Sequence, residues 1–238
     1  MKKTAVITGV GPGLGASLVR KFASEGYQVG LLARSSGYIQ TLASELEASG
    51  TKALALPTDI GDSQMVETSF STIREELGEV DVLINHAGNA AWGEFDKLTA
   101  EDFHRSWEVC AFGSFLCTQQ VVPDMVEKGS GAILFTGATS AIRGRAGAIA
   151  FSSAKFAVRG LAWALAREMG PKGIHVAHII IDGIIDTPRV HERYQLSEDE
   201  PLLLPDDIAE AYWSLVQQPK SAWAFELDLR PHNEEFFT

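Results

Sequence analysis

Short apolar runs alternating with longer stretches of helical period predict an α/β fold: one doubly wound, seven-stranded parallel sheet with helices on both faces. Three observations carry that expectation. Runs at Thr4–Thr8, Gln28–Ala33, Ala53–Pro57, 80–85, 132–136, Ile174–Ile181 and 224–229 have the length and composition of buried strands. Between them Leu14, Leu18 and Phe22, then Ile39, Leu42 and Leu46, then Val66, Phe70, Ile73 and Leu77 recur at the spacing of a single helix face. No repeat, low-complexity segment or shift of composition marks a linker, so residues 1–238 are expected to form a single domain.

Taken in order, the first strand runs into Thr8-Gly9-Val10-Gly11-Pro12-Gly13-Leu14-Gly15 and straight into an amphipathic helix. Glycines there allow a tight turn and bring backbone close to a pyrophosphate lodged on the helix N-terminus. The second strand ends at Arg34, between Ala33 and the pair Ser35-Ser36, and the third is followed by Asp59-Ile60. Asp62 and Thr99 have the character of N-caps, and Thr99-x-x-Asp102 reads as a capping box. A helix over 101–127 should end or kink at Pro123, and a second long helix is expected over 151–169. The irregular stretch 187–204, with Pro188 and Pro201, falls at the carboxyl end of the sixth strand, where open sheets place ligands. It reads as a substrate lid, with an ordinary surface connection as the alternative. The tail 232–238 ends in Phe236-Phe237 and either packs on a neighbouring subunit or frays.

A net charge of -11 argues against a broad nucleic-acid or anionic-membrane surface, although one basic pocket for a phosphate is compatible with it. Cys110 and Cys117, on one helix, would stand roughly 10 Å apart, too far for a disulfide. Free thiols fit a reducing cytosol. No Cys/His spacing has the pattern of a metal site. The apolar run after Met1-Lys2-Lys3 imitates a signal peptide but is interrupted by glycines, and no other stretch approaches the ~20 residues of a membrane span. A soluble, cytoplasmic protein is expected.

The spacing Thr-Gly-x-x-x-Gly-x-Gly at 8–15 resembles the short-chain dehydrogenase/reductase family, and the resemblance continues over nearly the whole chain. Asp59-Ile60 looks like its adenine-contacting acidic position, and Asn85-His86-Ala87-Gly88 is similar to its Asn-x-Ala-Gly motif. Lys155 stands at the lysine of Tyr-x-x-x-Lys, and Asp182-Gly183-Ile184-Ile185-Asp186-Thr187 resembles Pro-Gly-x-Val-x-Thr with Asp182 in place of proline. The resemblance implies a Rossmann fold and a nicotinamide dinucleotide held by Thr8, Gly9, Gly13, Leu14, Gly15, Arg34, Asp59, Ile60, Asn85, Ala87, Gly88, Lys155, Gly183, Ile185 and Thr187. It also implies a homodimer or homotetramer and a small-molecule substrate whose identity has no readable code. An acid at position 34 would bond a ribose 2′-hydroxyl, whereas Arg34 accommodates a 2′-phosphate, so NADP(H) is favoured over NAD(H).

In that family a tyrosine donates the proton, a lysine lowers its pKa and holds the ribose, a serine polarises the substrate oxygen and an asparagine orders a water. By spacing the tyrosine position is Phe151, the serine position thirteen residues earlier is Ala138, and the asparagine position is Cys110. Only Lys155 is retained. Ser152 and Ser153 point elsewhere on the helix, and His86 and His191 are formal alternative acids, His86 at a position expected to face away from the reaction centre. Two functions stay open: an oxidoreductase for a carbonyl/alcohol pair or an activated double bond, with an atypical proton source, or a cofactor-binding sensor or scaffold with little turnover.

Overall fold

The computed structural model describes residues 2–197 and 199–234. Its central sheet holds β1 (Thr4–Thr8), β2 (Gln28–Ala33), β3 (Ala53–Pro57), β4 (Val82–Asn85), β5 (Gly131–Thr136) and β6 (Ile174–Ile181). A seventh strand, Glu226–Leu229, closes the edge, and every pairing is parallel. Helices α1 (Leu14–Ser24), α2 (Ser36–Ala48), α3 (Ser63–Leu77), α4 (Ala100–Trp107), α5 (Gly113–Lys128) and α6 (Ile149–Met169) supply the crossovers. After β6 come β7 (Ile184–Ile185), α7 (Pro188–Arg193), β8 (Leu202–Leu203) and α8 (Pro205–Val216), which makes the edge strand β9. The order across the sheet is β3-β2-β1-β4-β5-β6-β9, with β7 and β8 paired separately.

Alternation along the strands divides the core in two. Ala5, Ile7, Val29, Leu31, Ile84 and Leu134 pack with α1, α2 and α8 through Phe22, Leu42 and Tyr212. Val6, Leu32, Leu83, Ile133 and Phe135 pack with α3, α5 and α6 through Phe70, Ile73 and Val158. Both faces of the inner strands β1, β4 and β6 are therefore dry, which is why these strands read as continuous apolar runs, whereas the edge strands β3 and β9 are partly exposed.

The structure moves several expected boundaries. The last strand begins at Glu226 rather than 224, because the Ala224 N–H is taken by Gln218 Oε1 at 2.6 Å. The fourth begins at Val82 rather than 80. The helix expected over 101–127 is α4 and α5 joined by one π-helical turn, Glu108–Phe112. Pro123 does not end it: α5 continues to Lys128 and stops where Gly129 turns left-handed, φ 63°. Val121 and Met125, buried on either side of the proline, hold both segments on the sheet.

Both expected N-caps are present. Thr99 Oγ1 accepts from Asp102 N–H at 3.0 Å, and Asp62 Oδ1 accepts from Gln64 and Met65 N–H at 2.9 and 3.1 Å. Asp62→Ala strands both donors and is expected to cost about 1 kcal/mol. Urea unfolding monitored by circular dichroism reads this as a lower midpoint at unchanged slope. No helix among the described residues is long and apolar enough to cross a membrane.

Candidate functional site

Strand order reverses between β1 and β4, so the loops leaving their carboxyl ends diverge and open a crevice. A cavity of about 820 Å³ fills it. Gly9 and Gly11 line it from the first loop, Arg34 from the end of β2, Asp59 and Ile60 from the end of β3, and Ala87 and Gly88 from the end of β4. Ala138, Phe151, Lys155, Gly183 and Ile185 complete the other half. A second cavity, also about 820 Å³, lies between Lys2, Tyr27, Arg74 and Trp223 at the amino ends of the strands, the opposite end of the sheet. It contains none of the expected residues.

The remaining expected residues shape the crevice from behind. Thr8 Oγ1 accepts from the His86 and Ala87 N–H groups at 3.0 and 3.1 Å, tying the loop after β1 to the loop after β4. Gly9, at φ 74°, lies so close to that loop that a Cβ would stand 2.4 Å from Ala87 Cα. The wall here is consequently backbone, and the first-turn N–H groups of α1 around Leu14 and Gly15 have no intrahelical partner. Gly13 is the N-cap of α1 and packs against the methyl of Thr187, which itself caps α7 through Val190 N–H. Asn85 is buried and donates to Thr118 Oγ1 at 3.2 Å, a brace beneath the site rather than part of its surface.

At the β2–β3 end, Arg34 is exposed and faces Asp59 across the cavity mouth. Burial pushes the Asp59 carboxyl up, but its bond to Arg105, the Gly61 N–H and the positive field of Arg34 more than offset this and hold it below the usual range. Asp59 is thus an ionised, neutralised anchor and leaves Arg34 free to meet another anion.

At the other end Lys155 is 5% exposed, and its ammonium donates to Thr136 O at 2.7 Å. Desolvation lowers its pKa, partly countered by the field of Cys110. The Phe151 ring lies one turn earlier with its centroid 5.6 Å from Nζ, a cation–π distance. Ala138 and its methyl line the cavity beside them. Cys110 is buried in the π turn, Sγ within 3.6 Å of Asn89 N and O, so its thiol is tied to the loop after β4. Cys110 and Cys117 are both free. Ser152 is buried and turned away from the cavity, and Ser153 donates to Ala150 O at 3.2 Å.

His86, expected to face away, lines the cavity instead. Nδ1 lies 3.2 Å from Thr136 Oγ1, which in turn lies 2.8 Å from the buried Tyr212 hydroxyl. Desolvation first, then the Lys155 charge, press the His86 pKa down to about 4, so the ring is neutral at pH 7. His191 is exposed and pairs with Asp186 at 2.6 Å, outside the cavity wall. Sequence reasoning passed over Trp92, Thr136, Arg189, Arg193 and Tyr194, all of which line the cavity. No motif marks them. The i, i+4 spacing of Arg189 and Arg193 in a segment already read as a lid was the one available signal. No group of three or more His, Cys, Asp or Glu that could hold a metal ion occurs among the described residues.

Comparison with known proteins gives this geometry a family. A short chain dehydrogenase of Pseudocercospora fijiensis is 36% identical over 142 residues, which are 58% of this chain and 46% of that protein. A solved short-chain dehydrogenase from Rhodopseudomonas palustris superposes with TM-score 0.82 at 34% identity, covering 97% of this chain and 99% of the other. An alcohol dehydrogenase from the archaeon Thermococcus sibiricus, solved with 5-hydroxy-NADP, superposes with TM-score 0.89 at 28% identity over 99% of each chain. The family model described as short chain dehydrogenase matches residues 3–197, which take in the glycine loop, the β4 motif, Lys155 and the start of the lid segment. By that match and by its parallel sheet, the chain belongs to the short chain dehydrogenase family.

Proposed function

We propose that residues 1–238 act as one domain that binds NADP(H), in preference to NAD(H), in the cavity between β1 and β4, and that it is an oxidoreductase of a carbonyl/alcohol pair or an activated double bond. The observation that carries this reading is the cavity itself: backbone loop, Arg34, Asp59-Ile60 and Lys155 line one crevice at the topological switch point. The residues present fit the cofactor. The wall near Gly9 leaves backbone bare for a diphosphate, Arg34 offers a cation for a 2′-phosphate, and Lys155 offers an ammonium for the nicotinamide ribose. The solved Thermococcus sibiricus relative holds a 5-hydroxy-NADP, which supports the same choice.

When bound, the nicotinamide supplies or accepts the hydride. The protein's task is then the proton. In carbonyl reduction the oxygen gains the C=O electron pair and needs a proton, and the ring at 151 and the methyl at 138 have none to give. Of the tetrad positions Lys155 is the donor that lines the cavity, since the Cys110 thiol is turned to Asn89 O at 3.6 Å. Burial lowers its pKa and so strengthens it as an acid, Thr136 O fixes its direction, and the neutral amine is reprotonated from solvent. Segment 187–204, with α7, covers the substrate.

Fluorescence titration with NADPH and NADH tests the binding: NADPH is expected to bind more tightly, and equal affinities would remove the preference. Lys155→Ala, assayed at saturating NADPH against carbonyl and enoyl substrates, is expected to lose about 10²–10⁴ in turnover. Turnover equal to the natural chain would exclude Lys155 as the acid.

The hydroxyl-free ring of Phe151, packed on Trp92 with centroids 5.5 Å apart, favours a second reading, a non-catalytic NADP(H) sensor or scaffold. Tight NADPH binding without turnover of either substrate class is its signature. A homodimer or homotetramer belongs to the proposal as well. The stacked Trp107, Phe112 and Phe115 and the exposed Phe156 and Trp163 leave α4–α6 with apolar faces to cover, which light scattering will read as mass. Free Cys110 and Cys117 fit a reducing cytoplasm. Of the tail, Glu235 to Thr238 lie outside the described residues.

A further inference from the structure

We infer that the substrate carries a carboxylate beside a flat apolar body, held by Arg189 and Arg193 of α7 against the aromatic wall of Trp92 and Phe151. The inference rests on the reading of the cavity as a dinucleotide site.

Helix α7 is capped by Thr187, whose methyl lies on Gly13, so the helix starts beside the glycine loop and lines the cavity. Arg189, Val190, Arg193 and Tyr194 line the cavity, whereas His191 and Glu192 do not. Positions i, i+1 and i+4 form one helix face, so this face is turned to the cavity while the helix's own acid is not, and Tyr194 follows at the C-cap. The nearby carboxylates are committed elsewhere, Asp59 to Arg105 and Asp186 to His191. Neither the Arg189 nor the Arg193 guanidinium has an ion pair or hydrogen bond with a described residue.

The charge balance is opposite to that of the whole molecule. A chain of net charge -11 gathers Arg34, Lys155, Arg189 and Arg193 around one cavity against Asp59 alone. The dinucleotide as placed above uses Arg34, the glycine-loop backbone and Lys155. Two guanidiniums are left, and they line the same cavity as Ile185, Phe151 and Trp92. A guanidinium fork matches a carboxylate in plane and in charge, and two like charges on one face repel until an anion lies between them. The cavity also has aromatic lining: Trp92 and Tyr194 are 55% and 60% exposed, and Trp92 packs on Phe151 with the two rings tilted by 40°. Exposed aromatic faces beside unpaired cations suit a ligand that is flat at one end and anionic at the other.

Phenylglyoxylate and its methyl ester share the 2-oxo group and the ring and differ in the charge. Their binding is to be measured calorimetrically with and without saturating NADPH. The natural chain is expected to bind the acid at least about tenfold more tightly than the ester, as charge-assisted bonds allow. Arg189→Ala/Arg193→Ala should erase that preference with NADPH affinity changed less than about twofold, and Trp92→Ala should weaken acid and ester alike. Equal binding of acid and ester by the natural chain, or no binding of either, overturns the inference. So does a double variant that loses NADPH affinity by the same factor as the acid, since that assigns the guanidiniums to the dinucleotide. If NADPH fails to bind while the acid preference persists, the cofactor reading falls and the anion site stands.

Discussion

Ala138→Ser together with Phe151→Tyr is expected to raise carbonyl reduction by about 10²–10⁴-fold over the natural chain at saturating NADPH. The backbone needs no change. Ala138 is extended, φ -164° and ψ 167°, a conformation serine adopts freely, and its side chain already faces the cavity. Phe151 is an aromatic ring in the tyrosine position with Lys155 Nζ 5.6 Å from its centroid. A phenol there gains a dissociable proton beside a buried cation, which lowers its pKa and makes it a better donor than the free phenol. The two hydroxyls act on one substrate oxygen, so the double variant should exceed the product of the single ones. Steady-state rates for all four forms decide the matter. A double variant no faster than the natural chain would show that these positions do not address the reacting oxygen.

Acidification from pH 6.5 to about 4 is expected to remove on the order of 3 kcal/mol of stability through His178 alone. His178 is fully buried on β6, with Nδ1 3.0 Å from Glu226 Oε1. Arg159 grips the same carboxylate through two bonds of 2.7 and 2.9 Å, so Glu226 is ionised and accepts, which puts the histidine proton on Nδ1. Nε2 then lies bare beneath Gly137, where a Cβ would stand 2.4 Å from it. A second proton has no acceptor there. Desolvation therefore outweighs the help of Glu226 and presses the pKa down to about 4. The sign follows from linkage: below 6.5 the unfolded chain takes up a proton that the native ring refuses, so stability falls until the native ring titrates near 4. His178→Asn, which keeps a donor for Glu226, should flatten denaturant midpoints across that window. A slope unchanged by the substitution would place the acid sensitivity elsewhere, at His86 or His175, whose pKa values are also lowered by burial.

Much of this was legible in the chain. Short apolar runs and helical repeats located the seven strands and the main crossovers. The glycine loop announced itself because only glycine permits what the backbone does at residue 9. The element ends were less legible, since they depend on competing partners: Gln218 takes the N–H that would have extended β9, and packing around Val121 and Met125 carries α5 past Pro123. His86 was misplaced for a similar reason, because its direction is set by Thr136, fifty residues away in sequence.

By itself the sequence determined the family, the sheet and the residue types at the reaction positions, because those are carried by local spacing and by side chains that are present or missing. Tertiary structure alone decided which charges remain available. Asp59 is spent on Arg105, His191 on Asp186 and Glu226 on Arg159 and His178, while Arg34, Arg189 and Arg193 converge on one cavity. An ion pair depends on distance in space, and a one-dimensional pattern does not encode which of several carboxylates lies within reach of a given guanidinium.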